Sequence, residues 1–184
     1  IASHTYQLSK SLEAKGIKNF TGIDSDPKIL EFMSKTIADK VILGDIWTEI
    51  ENLIKQSKKF DRIVLLDVFE HFSFLEGQDL LVRLNKILAL NGKIVMRVPN
   101  ASSPFGLQYQ FGDVTHKAIY TPSAMEFIAV ASDFNVENFV PVKRGHISKQ
   151  ILETIIFGVL NRIFTDPPPL WEANMIVILI PKNP

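Results

Sequence analysis

The sequence predicts an α/β domain built on a mostly parallel, doubly wound sheet, and three observations carry that prediction. Apolar runs of strand length alternate with segments of helical spacing over most of the first hundred residues. Two of those runs, 60–67 (FDRIVLLD) and 93–98, have unbroken apolar centres (Ile63–Leu66 and Ile94–Met96), as strands covered on both faces do. Acids stand at or just past the tips of three runs (Asp24, Asp45 and Asp67), at the strand ends where α/β sheets hold ligands.

The elements follow in order. Residues 4–15 read as a helix stopped by Gly16, and 19–24 as a strand. Residues 27–36 have helical spacing, with Ile29, Leu30, Phe32 and Met33 on one side. A short strand at 40–43 runs into Gly44-Asp45, and a helix follows at 47–57. The central strand 60–67 leads to a helix at 75–90 closed by Asn91-Gly92. A second buried strand, 93–98, ends at Pro99. Residues 101–118 form a loop longer than about 12–15 residues, a length that in compact domains marks function or disorder. Thr121 caps and Pro122 opens a helix that reaches 132. Two closing strands are expected at 135–142 and 175–180. Between them 147–164 is amphipathic, with Ile147, Ile151, Leu152, Ile155, Ile156, Val159, Leu160, Ile163 and Phe164 in one stripe. No internal repeat or second domain is visible, so 1–184 reads as one domain.

Composition narrows the function classes. The chain has 184 residues, enough for a real core, with 46% apolar and 22% charged residues. Twenty basic residues balance twenty acidic ones, which removes any global pull toward nucleic acid and makes a nucleic-acid partner unfavoured. Cysteine is absent, which excludes disulfides, thiolate metal sites and cysteine nucleophiles and fits a reducing, cytoplasmic setting. No signal peptide or membrane-length apolar run is present. The chain opens on a helix at Ile1 rather than on methionine, and a further N-terminal segment is expected.

Candidate site residues cluster at the strand tips. Asp24, with Ser25 and Asp26 beside it, ends the first strand. A carboxylate there can accept both hydroxyls of a ribose, or it can cap the helix opened by Pro27. Asp45 can receive the exocyclic amine of adenine over Ile46 and Trp47, or cap the next helix. Asp67-Val68-Phe69-Glu70-His71 puts two acids and an imidazole at the tip of the strand 60–67, where capping is the plainer use. His116, in the long loop, suits a general base near neutral pH. Asp67, Glu70, His71 and His116 together also offer the carboxylate and imidazole donors that a divalent ion takes.

The segments FTGIDSDPKILEFM, VILGDI, FDRIVLLDVFEHF and LLVRLNKILALNGKIVMRVPN, in this order and spacing, resemble the class I S-adenosylmethionine-dependent methyltransferases over about residues 4–140. The block GDVTHKAIYTPSAMEFIAVASDF is similar to the loop and helix after the fifth strand of bacterial enzymes that O-methylate glycans and small molecules. The resemblance implies a Rossmann-like, seven-stranded sheet with the last strand antiparallel. It places the cofactor ribose at Asp24 (with Ser25 beside it), the adenine at Asp45 and Ile46, and the methionine part at Asp67 and Val68. The family's first strand and glycine-rich loop have no counterpart in the chain, and both are expected ahead of Ile1.

The implied activity is methyl transfer from S-adenosylmethionine to an oxygen of a small-molecule or glycan acceptor, with His116 or His71 as base. One competing reading is a metal-assisted variant on Asp67, Glu70, His71 and His116, similar to small-RNA 2′-O- and ubiquinone-pathway methyltransferases, in which Asp67 replaces the expected Glu. Another is a non-catalytic methyltransferase-like binding module, separated from the enzyme by cofactor calorimetry. A nicotinamide-dependent Rossmann oxidoreductase is disfavoured by the paired closing strands and the 67–71 segment. The loop 101–118 is expected on the acceptor side. For 147–170 the expectation is a helical insertion, packing as core or closing as a lid. A homodimer interface comes second, and a peripheral membrane contact third because basic residues (Lys149 and Arg162) are sparse on the polar face.

Overall fold

A computed structural model of the chain describes residues 2–182, with side chains described from residue 5 onward. Helix α1 (Ala2–Ala14) ends at Gly16, whose φ of 72° is the left-handed turn that glycine adopts without strain. Strand β1 (Gly22–Asp24) leads into a 3₁₀ helix, Pro27–Phe32, capped by the Asp26 carboxylate on the Lys28 N–H. The single helix expected over 27–36 is therefore two short pieces. Met33 is extended at φ −97°, ψ 145°, and Ser34 opens a new turn, α2 (Lys35–Ala38). Next come β2 (Val41–Leu43), α3 (Ile46–Lys55) and β3 (Phe60–Leu66), a 3₁₀ turn at Phe69–His71, then α4 (Phe74–Asn85) and β4 (Leu88–Pro99). Helix α4 starts on a capping box, Ser73 with Glu76.

Helix α4 stops five residues short of the expected 90, and β4 begins at Leu88. Ile87 and Leu88 are buried, and Leu88 pairs with Phe60 before the register shifts to Arg62 opposite Lys93. Asn91, with φ of 61°, supplies the local reversal that absorbs the extra residues. Past β4 lie α5 (Leu107–Phe111), α6 (Pro122–Ala131), β5 (Phe134–Pro141), α7 (Ile147–Ile163) and β6 (Asn174–Pro181).

Among the described residues the strands form two sheets rather than one of seven. The first pairs β1 and β2 in parallel, with Asp24 opposite Leu43. In the second the order is β3-β4-β6-β5: β3 and β4 run parallel, and the last strand, β6, is antiparallel to both its neighbours, as expected. Its core is packed by Leu80, Leu81 and Leu84 of α4, Met125 and Ile128 of α6, Ile94, Met96 and Val98 of β4, and Met175, Val177 and Leu179 of β6. Helix α7 buries none of its residues, so its stripe is not core.

Candidate functional site

Strand β3 ends in a turn that a left-handed residue makes. Asp67 has φ of 52°, a conformation aspartate tolerates better than most residues, and its N–H donates to the Arg97 carbonyl at 3.1 Å. The Arg97 guanidinium grips the Asp67 carboxylate with two bonds, Nε to Oδ1 at 2.8 Å and Nη2 to Oδ2. The turn then passes through half-buried Val68 into the 3₁₀ segment that carries Glu70 and His71.

Glu70 is 1% exposed. Burial pushes its carboxyl up to about 8, outweighing the hydrogen bond from its own backbone; the nearby Asp67 charge adds to the rise. At neutral pH it is mostly a protonated acid. Its Oε2 is buried without a hydrogen-bond partner. The Glu70 carbonyl accepts from the N–H groups of Lys117 (2.9 Å) and Ala118 (3.2 Å), so this one residue also ties down the end of the long loop.

That loop delivers the rest of the site. His116 is half-buried, and its Nδ1 lies 3.1 Å from the Gln110 carbonyl. A carbonyl only accepts, so Nδ1 carries the proton and the neutral ring keeps its lone pair on Nε2. Nε2 sits 3.9 Å from both Glu70 Oε1 and Asp113 Oδ2. Gln110 is itself buried, and its Nε2 donates to the Ala118 carbonyl at 3.0 Å. A parallel network sets His71. The Thr115 hydroxyl gives its single proton to Asp113 Oδ1 (2.6 Å), so it accepts from His71 Nδ1 at 2.9 Å. The Asp113 carboxyl is held below its usual range by these Thr115 bonds. His71 therefore also presents an Nε2 lone pair. Desolvation, then the neighbouring His116, lowers its pKa and keeps it neutral at pH 7. The two rings meet edge to face, 4.8 Å between centroids.

Glu70, His71 and His116 thus each offer a donor atom, all within 4.8 Å of one another. They line a cleft of about 380 Å³ together with Asp67, Tyr109 and Arg144. Another concavity, about 400 Å³ and lined by Glu126, Glu137 and Phe139 among others, contains none of these groups.

The remaining expected residues lie on the β1–β2 pair. Asp24 is buried at the end of β1 and accepts the Asp26 N–H through Oδ1 at 3.0 Å; helix capping falls to Asp26. Ser25 is exposed. Asp45 does cap α3, accepting from Trp47 N (3.0 Å) and Thr48 N (3.3 Å) through one oxygen. Ile46 follows, half-buried, while the Trp47 ring packs edge-on against Phe72, 5.4 Å away, beneath Arg83. The Gly44 N–H donates to the Asp24 carbonyl at 3.0 Å, joining the two strand tips.

Residues 1–96 match the family model described as a methyltransferase domain, a match over more than half of the chain. The chain belongs to the methyltransferase-domain family. No curated protein matches it in sequence. Among solved structures, an S-adenosylmethionine-dependent methyltransferase of Archaeoglobus fulgidus is similar, with a TM-score of 0.66 and 20% identity over 95% of this chain and 81% of the other. A further S-adenosylmethionine-dependent methyltransferase, from Clostridium acetobutylicum, gives 0.63 at 11% identity, covering 95% and 79%. Mitomycin 7-O-methyltransferase gives 0.60 at 13% identity, covering 92% of this chain and 44% of the other. The architecture is thus the Rossmann-like α/β fold of class I methyltransferases, and the cleft of this methyltransferase-family chain lies at the β3 tip.

Sequence reasoning missed Arg97, Gln110 and Thr115, which position the named residues. Arg97 left a trace, a charge interrupting the apolar residues Ile94–Val98. Gln110 and Thr115 left none. Of the four donors expected for a metal, Asp67 stands outside the cluster because Arg97 holds its carboxylate.

Proposed function

We propose that this protein transfers a methyl group from S-adenosylmethionine to a hydroxyl of a small-molecule or glycan acceptor bound in the cleft at the β3 tip. The carrying observation is His116, whose Nδ1–H is anchored on the Gln110 carbonyl so that Nε2 is left as a proton acceptor on the cleft wall.

The residues at β1 and β2 fit the nucleoside. Asp24 is a buried carboxylate that forms no ion pair among the described residues, which suits a ribose diol, with Ser25 beside it. Asp45 keeps an oxygen beyond its two capping bonds for an adenine amine, with Ile46 adjoining. Asp67 and Val68 lie beside the methionine part. S-adenosylmethionine, when bound, supplies a methyl group on a sulfonium that leaves as a neutral thioether. The chain aligns the acceptor oxygen and takes its proton on His116 Nε2, while Thr115 holds His71 in the same tautomer next to it. A His116→Ala variant tests this: cofactor binding by calorimetry stays, and methyl transfer falls by about 10²–10⁴-fold. Normal turnover would remove His116 as base.

The cluster of Glu70, His71 and His116 favours a second reading, in which the three hold a divalent ion that polarises the acceptor oxygen. Each imidazole already donates its other N–H to an oxygen, the arrangement that orients metal-binding histidines. Titration of the chain with Mn²⁺ by calorimetry, and activity after chelation, decide between the two. Turnover insensitive to chelator leaves the histidine base alone.

A further inference from the structure

We infer that the outer face of α7 docks on an anionic lipid bilayer. Ile147, Ile151, Leu152, Ile155, Val159 and Ile163 on that helix are each 50–70% exposed, an aliphatic stripe about 25 Å long at about 1.5 Å per residue. Isolated exposed apolar residues need no explanation, but a continuous stripe on one helix marks a contact. No helix among the described residues is long and apolar enough to cross a membrane, so the contact is with a surface.

Seen as sequence, the helix lacks the basic polar face of an interfacial helix. In the structure part of that face meets the body of the protein: Gln150, Glu153 and Phe157 are half-buried, while Ser148, Lys149, Thr154, Asn161 and Arg162 stay exposed. Phe157 stacks on Trp171 with 5.7 Å between centroids and lies 6.0 Å from Phe105, and Trp171 Nε1 donates to Asn161 Oδ1 at 2.7 Å. The body of the protein therefore takes up part of the side that lysines and arginines fill in a free interfacial helix.

The exposed charges around the stripe are mostly cationic. Lys143, Lys149 and Arg162 are exposed, while Glu153, the one acid within the helix, is half-buried on the docked side, with Lys149 3.8 Å away; Arg144 is turned to the cleft, where it donates to the Tyr109 hydroxyl at 3.2 Å. Asp166 follows beyond the helix. Cations at the margin of an aliphatic stripe can snorkel to lipid phosphates while their stems stay in the apolar layer. A second copy is a poorer occupant. Antiparallel pairing of two α7 helices about Ile155 sets Lys149 opposite the region of Arg162, and parallel pairing sets each cation against itself.

Flotation of the chain with vesicles tests this without reference to methyl transfer. The chain is expected to float with vesicles of phosphatidylglycerol and phosphatidylcholine, and about tenfold less with phosphatidylcholine alone. Ile151→Asp with Ile155→Asp, both at exposed positions, should cut flotation by at least about tenfold with an unchanged circular-dichroism spectrum. Lys143→Glu with Lys149→Glu and Arg162→Glu should abolish the preference for anionic vesicles. The inference is overturned by no flotation with either vesicle, by flotation indifferent to the aspartates, or by light scattering that shows a dimer which those aspartates dissociate.

Discussion

Replacing Glu70 with Gln should stabilise the protein, and by more as the pH rises. The Glu70 carboxyl is raised from 4.5 to about 8 by burial. An acid of the unfolded chain releases its proton near 4.5, while the folded state keeps it until about 8. Between those values the folded state binds the extra proton, so stability falls as pH rises through the window and levels off above it. At about 1.4 kcal/mol per pH unit, the loss is about 3 kcal/mol at pH 7 and about 5 kcal/mol above pH 8. The Gln side chain is neutral throughout and has the same shape. The buried oxygen of Glu70 already lacks a partner, so the amide forfeits no bond there. His71, whose depressed pKa costs stability below its usual range, is common to both proteins and cancels in the difference to first order. Urea midpoints followed by circular dichroism from pH 5 to 9, with chelator present, measure that difference. The two proteins should agree near pH 5, and the Glu70→Gln variant should be ahead by several kcal/mol at pH 8–9. Parallel pH profiles, or a variant less stable than the parent at pH 8, would refute the assignment of Glu70 as a buried neutral acid.

Other substitutions probe the neighbouring parts. Thr115→Val removes the acceptor of the His71 Nδ1–H; ¹⁵N imidazole shifts should show the ring losing its single tautomer while His116 keeps its own. Gly106→Ala puts a Cβ 1.9 Å from the Asn100 carbonyl oxygen and 2.9 Å from that of Ala173; neither backbone can give way, and a loss of about 3 kcal/mol or more, or failure to fold, is expected in thermal unfolding. Asp24→Ala should weaken S-adenosylmethionine binding in calorimetry by about tenfold to a hundredfold, the worth of a charged hydrogen bond or two. Helix capping near Pro27 survives that change because Asp26 provides it, so the unfolding midpoint should move little.

The parts of this fold legible in the sequence are those whose signal is local. Strands β3 and β6 and the bounds of α7 follow from apolar centres (Ile63–Leu66 and Met175–Ile180) or from spacing, and α6 follows from Thr121 and Pro122 at its start. The end of α4 was illegible because the competing signal is tertiary: Ile87 and Leu88 continue the helical pattern but gain more by sinking into the core and starting β4. The docked face of α7 was illegible for a related reason. The aliphatic stripe is the loud feature, but the contacts that dock the helix lie on the quieter side, where Phe157 meets Trp171 and Phe105 and Asn161 accepts from Trp171. At the site, the acid and histidine positions were legible as strand-tip and loop residues. Their tautomers were not, since those depend on Gln110 and Thr115, whose roles exist only once the loop is folded back on Glu70.

That folding-back binds the instability of Glu70 to the chemistry proposed for His116. The Glu70 carbonyl receives the Lys117 and Ala118 N–H groups, and Gln110 closes the same loop through the Ala118 carbonyl while holding His116. The backbone at position 70 must therefore sit deep under the loop, and a carboxyl attached to it is desolvated with it. A neutral side chain there would stabilise the domain and leave the loop contacts unchanged, because those contacts use main-chain atoms. If Glu70 serves only the fold, Glu70→Gln gains stability and keeps full turnover. If its carboxylate binds a divalent ion or steers His116, the same variant gains stability while turnover falls. The combination of the two readouts therefore separates a scaffold acid from a working one, which neither separates alone.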